Sequence, residues 1–176
     1  MQSRATVLAF TMALAPALAA AQSPSPMAMI EAWEHHHRHI LAVIDAAPDT
    51  MLAFRTTPGV RTFAEQIDHV GNVAARITAG AVLGRELPAG LLPDPAGYLG
   101  DKAKLRAQTD RVFRYVLEAL ASLGDAELLE ERRVFGGSMT RFRWNLTALQ
   151  HSAWTLGQTV PYLRMNGIAP PQFTPF

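Results

Sequence analysis

Cysteine is absent from all 176 residues. That removes disulfides, thiol nucleophiles, Cys-based metal sites and a lipid anchor at a signal cleavage point, so any reactive thiol would have to arrive with a cosubstrate. Charge is also sparse, at 18% of residues against 49% hydrophobic, the balance of a folded globular chain rather than a disordered one. Neither sign dominates, with 16 Lys and Arg against 15 Asp and Glu. No basic patch or tail stands out, so nucleic acid is not an expected partner. Strand alternation, internal repeats and any sign of a second domain are missing too.

The opening stretch "MQSRATVLAFTMALAPALAAAQS" has one early positive residue, Arg4, then an apolar run from about Ala5 to Leu18, then Ala19-Ala20-Ala21. That order of parts predicts a secretory signal peptide over residues 1–21, cleaved after Ala21, because the apolar run is short for a membrane span. The expected product is periplasmic or secreted, with no membrane segment in its mature form. Losing Arg4 and no acid leaves the mature chain formally uncharged. A Ser/Pro linker over residues 22–26 leads into one domain, 27–171, followed by a tail, 172–176.

Within that domain, four amphipathic helices are separated by Pro- and Gly-rich connections, long and irregular after the first, second and third helices. Ser25 and Pro26 supply a cap and a first helical residue, opening a helix to about Ala46 with Ile30, Trp33, Ile40 and Ile44 as its apolar stripe. Thr62 and Glu65 form a capping box ahead of the second helix, whose seam is Phe63, Ile67, Val70, Ala74, Ile77 and Ala81. The third helix spans about Asp101 to Leu123. "GDAELLEERRVFGGSM" reads as irregular with room for one helical turn. The last helix runs from Thr140 to about Asn166, stopped by Gly167 and Pro170-Pro171, with a bend expected at Pro161. These elements predict an all-α four-helix bundle.

On a helical wheel the last helix carries two seams. One is apolar (Phe142, Leu146, Leu149, Ala153, Leu156, Val160, Leu163) and wide enough for deep burial or a homodimer contact. The other has a polar middle: Trp144, Ala148, His151, Thr155, Gln158, Tyr162, Met165. Bundles place metals and ligands at interior polar positions of this kind, although such residues also hydrogen-bond one another or lie partly exposed. His69, beside the second helix's apolar seam, raises the same choice between a satisfied core histidine and a ligand. Four of the six histidines sit in "EHHHRH", Glu34 to His39. At about 100° per residue they cannot all grip one ion. His35 and His39 are an i,i+4 pair able to hold an ion at the surface, and His36 is expected to be solvated.

"TPGVRTFAEQIDHVGNVAARI" and "QHSAWTLGQTVPYLRMNGIAPP" resemble the second and last helices of the DinB/YfiT-like superfamily of four-helix-bundle metal-binding proteins. The resemblance implies that His69 is a first metal ligand and His151 a second. The family's last helix usually reads His-x-x-x-His-Arg-Gly-Gln. Gly157-Gln158, Tyr162-Leu163-Arg164, Gly167 and Pro170-Pro171 match its pattern, but Thr155 stands where the third ligand falls and Leu156 where the arginine falls. A neutral threonine hydroxyl is a poor substitute for imidazole at a transition metal.

His37, four residues after Trp33 and three before Ile40, fills the gap in the first helix's stripe. If the first two helices are antiparallel neighbours, His37 faces His69 and His151 and supplies the missing imidazole. The other reading has it bonded to a core polar group or on the flank. Two functions stay open. One is an exported metal-dependent transferase or hydrolase on a small substrate, with zinc or nickel held by His69, His151 and His37, and with Trp33, Thr155, Gln158 and Tyr162 as pocket residues. The other is a non-catalytic bundle whose decayed site binds a small ligand or serves association.

Overall fold

The computed structural model describes residues 24–174. The expected signal peptide and its cleavage point lie outside the described residues.

Helix α1, Pro26–Ala46, opens with Pro26 in its first turn and the Ser25 hydroxyl accepting from the Met27 amide at 3.2 Å. A 3-10 turn, Asp49–Met51, follows. Helix α2, Phe63–Ile77, starts at the expected capping box: the Glu65 amide donates to Thr62 Oγ1 at 3.1 Å, and the Thr62 amide donates to Glu65 Oε2 at 2.7 Å. Its end widens to π geometry over Thr78–Leu83 and stops at Gly84, where φ is 68°. Helix α3, Lys102–Ala121, is capped by Asp101. The connection before it is pinned by Tyr98, whose hydroxyl donates to Asp68 on α2 at 2.5 Å.

The segment read as irregular holds more order than one turn. After α4, Asp125–Leu128, come two antiparallel strands, β1 (Glu131–Val134) and β2 (Gly137–Thr140). Four residues per strand is too short for alternation to register. The turn between them uses consecutive left-handed residues, Phe135 at φ 52° and Gly136 at φ 77°, the geometry a two-residue hairpin requires.

The last helix is two helices. Helix α5 covers Arg141–Gly157 and α6 covers Thr159–Met165, separated at Gln158. Pro161 has no amide hydrogen to give the Gly157 carbonyl, so the bend expected from sequence is a break in the hydrogen-bond ladder. The Thr159 hydroxyl donates to the Leu156 carbonyl across it at 2.6 Å. The α5 seams exchange weight relative to expectation. Trp144, Ala148, Thr155 and Tyr162 are buried, whereas Leu146 on the apolar seam is 44% exposed and Ala153 is exposed. Among the described residues no helix is long and apolar enough to cross a membrane.

Helix α1 packs mainly on α3, and α2 packs on α5 and α3. The buried residues of α1 are Met29, Trp33, His36, Ile40, Val43 and Ile44, a heptad-like seam stepping by four and three. His36 therefore takes the inward position expected for His37, and the expectation that it is solvated is corrected: it is 7% exposed. Its Nε2 lies 2.8 Å from Ser152 Oγ on α5. One turn earlier Trp33 Nε1 donates to Asn145 Oδ1 at 2.9 Å, a second buried polar link from α1 to α5.

Two outcomes follow for stability. Gly84 combines a left-handed backbone with the Arg132 guanidinium lying where a Cβ would project, whereas Gly80 has ordinary φ and open space within 4 Å of where its Cβ would lie. Gly84→Ala should lower the unfolding free energy by about 1–3 kcal/mol in urea, while Gly80→Ala is neutral or stabilising. Burial, then His39, His35 and His37, push the His36 imidazole down from 6.5 to about 4. The unfolded chain takes up that proton near 6.5 and the folded chain resists until about 4, so stability is full above the window and falls as pH drops through it. Denaturation at a series of pH values should show His36→Gln flattening that decline by at most about 1.4 kcal/mol per pH unit. A residual slope should remain, because burial lowers His37, His39 and His69 in the same direction.

Candidate functional site

Two histidines separated by 82 positions in the sequence meet where α2 packs on α5. The His69 and His151 rings lie with centroids 5.4 Å apart at 68°, edge to face. Both are half-buried. Burial first, then the Arg61 guanidinium and His151, hold the His69 imidazole below its ordinary value, keeping it a neutral potential ligand or hydrogen-bonding group. The Nδ1 of His151 is buried and has no hydrogen-bond partner among the described residues. That orphaned nitrogen and the ring separation are what two ligands of one ion would present, with nitrogen-to-zinc bonds of about 2.0–2.1 Å.

The pair gains no third member. Among the described residues no group of three or more His, Cys, Asp or Glu side chains is placed to hold a metal ion. Correcting the antiparallel pairing assumed for α1 and α2, His37 turns to α3. Its ring stacks on Phe113 with centroids 5.3 Å apart at 13°, and its Nε2 is 3.2 Å from Asp110 Oδ1. The cause is the neighbour: α1 lies against α3, so a residue one step past the buried seam meets an α3 side chain. Trp33, expected in the pocket wall, is fully buried and committed to Asn145, which also donates to Met29 Sδ.

The remaining expected pocket residues gather around Gln66, a residue not among those expected from sequence. Gln66 Nε2 donates to the Thr155 carbonyl at 3.1 Å and to Gln158 Oε1 at 3.0 Å. Thr155 itself is buried, one turn after His151. Because the Thr155 carbonyl can only accept, Gln66 must present its amino group, and Gln158 must therefore present its oxygen. Tyr162 is buried, and its hydroxyl donates to the Arg61 carbonyl at 2.7 Å. Gln66, Gln158, Tyr162, Pro161, Arg61 and Thr56 line a cleft of about 480 Å³. A smaller hollow of about 200 Å³ lies over His151, walled by Trp154, which is 70% exposed. One signal for Gln66 was available: it stands beside Ile67 and three residues after Phe63, so it borders the apolar seam of its helix.

A second cavity, more enclosed and about 230 Å³, lies on a different face of α5. His35, His36 and His39 line it with Leu156, Val160 and Phe173. The Phe173 ring approaches His35 and His39 edge-on, with centroids 6.3 Å and 6.2 Å away. It holds neither His69 nor His151, so it is separate from the pair described above.

The model of the DinB superfamily matches residues 32–158, which includes both histidines and the Gln66 to Gln158 contact. Among solved structures, a DinB-like protein from Bacillus cereus ATCC 10987 superposes with a TM-score of 0.71 at 17% identity, covering 86% of this chain and 99% of that one. A search of curated proteins finds no match. With the family match extending over most of the chain and the bundle shared, the chain belongs to the DinB superfamily.

Proposed function

We propose that this chain is a small-molecule-binding DinB-type bundle in which the two histidines survive without a complete transition-metal centre. The observation that carries this reading is the geometry of the third position. His37 is engaged with Asp110 on α3, and no third His, Cys, Asp or Glu joins His69 and His151 among the described residues. Thr155, where the family resemblance places the remaining imidazole, turns its carbonyl to Gln66. Two imidazoles alone bind zinc or nickel far more loosely than three. The cleft beside them, by contrast, is open and held by directional hydrogen bonds on both sides. On this reading the ligand occupies the Gln158 and Tyr162 cleft, and the His69 and His151 pair lies one helical turn from its Gln66 wall. The chain works after export, in the periplasm or outside the cell, as its N-terminal segment predicts. The exposed α5 residues Leu146 and Trp154 offer apolar area for self-association.

One observation favours the metal-dependent transferase or hydrolase as a second reading. The His151 Nδ1 is buried without a partner, and an ion would satisfy it. In that case substrate and water, with no further side chain, would have to complete the coordination shell.

Metal analysis separates the two. Protein purified without a histidine tag, and carrying His35→Ala and His39→Ala to silence the surface pair, should contain well under one zinc or nickel per chain. His69→Ala should leave that content unchanged. Stoichiometric metal, lost in both His69→Ala and His151→Ala, would establish the second reading in place of the first.

A further inference from the structure

The residue that gives the cleft its charge is Arg61. Its backbone is held from several directions. The Tyr162 hydroxyl donates to its carbonyl at 2.7 Å, Arg55 donates to the carbonyl of the preceding residue, Val60, and Thr62 is fixed by the capping box. Arg55 is itself tied to Glu65, with Nη1 3.1 Å from Oε2. The loop carrying Arg61 is thus anchored on α2 and α6.

Its side chain is treated differently. Among the described residues no carboxylate pairs with the Arg61 guanidinium, which is true of several other arginines; what sets Arg61 apart is its place in the wall of the cleft. Among the described residues no acid lines the cleft, and Arg61 is the one charged residue in its wall. Gln158 adds a second donor. Its oxygen is taken by Gln66, and its Nε2 has no acceptor among the described residues. Thr56 contributes a hydroxyl to the same wall. An uncharged ligand would meet the Arg61 guanidinium no better than water does, whereas a planar monoanion would match both its charge and its fork of donors. One cation balances one negative charge, so a phosphate dianion would remain only half compensated.

We propose that the cleft takes a small organic carboxylate, its charge met by the Arg61 guanidinium, its second oxygen met by the Gln158 amide, and its apolar body resting on Pro161 and Tyr162. This rests on the reading of the chain as a small-ligand-binding bundle and names the ligand's class.

The test uses phenylacetate and its uncharged counterpart phenylacetamide, with inorganic phosphate as a third probe, followed by amide NMR shifts of the full chain at low salt. Phenylacetate should perturb residues around Gln158 and Tyr162 and bind about tenfold or more tighter than phenylacetamide. Arg61→Gln should erase that preference, Arg61→Lys should keep part of it, and added salt should weaken it. Because Arg61 is exposed and its anchors are backbone groups, both variants should retain the wild-type spectrum elsewhere. Equal binding of acid and amide in the cleft, unchanged in Arg61→Gln, would overturn the carboxylate proposal and leave the ligand-binding reading standing. Phosphate binding more tightly than phenylacetate would overturn the monoanion assignment. No perturbation of the cleft by any of the three would bring down both.

Discussion

The Gln66 side chain joins the parts on which the site depends. Pro161 interrupts the last helix by withholding an amide from the Gly157 carbonyl, and Gln66 braces the turn just before that break. Gln66, on the neighbouring helix, reaches across to the Thr155 carbonyl and with the same amino group takes Gln158 Oε1. That contact locks α2 to the break between α5 and α6, sets which way the Gln158 amide faces, and positions the floor of the cleft. The Tyr162 bond to the Arg61 carbonyl closes the opposite side. The cleft therefore sits where a broken helix is braced by its neighbour, and the histidine pair lies one turn along both helices from that brace.

A second constraint decides what α1 contributes. Its contacts are mainly with α3, and its buried seam runs through Met29, Trp33, His36, Ile40 and Val43. His36 and Trp33 send polar links to Ser152 and Asn145, and buried polar groups with single well-placed partners specify one register of the packed helices. Neither link reaches His69 or His151. Helix α1 thus holds α5 in place from one side while α2 builds the site on the other.

Much of this was legible in the chain itself. The capping box at Thr62, the Ser25 and Pro26 start of α1, and the interruption at Pro161 rest on local chemistry, and local chemistry survives folding. The meeting of His69 with His151 followed from family resemblance over two helices. Other features depended on which helices are neighbours, which no periodicity encodes. Four-then-three and three-then-four spacing fill the same gap between Trp33 and Ile40, so the pattern admits His37 as readily as His36 on the inward face. Only the position of α3 selects His36. Arg61 lies in a loop, where pattern carries no information about direction, and the hairpin strands are shorter than the alternation that would reveal them.

The central claim is that the histidine pair falls one ligand short of a metal centre because residue 155 is a threonine. Zinc titration of Thr155→His, competed against a chelator in a background lacking His35 and His39, tests it most directly. The account predicts weak binding by the parent chain and one tight zinc site in the variant, lost again in Thr155→His combined with His69→Ala. A parent chain that already holds one tight zinc through His69, with no gain from the new imidazole, would contradict it.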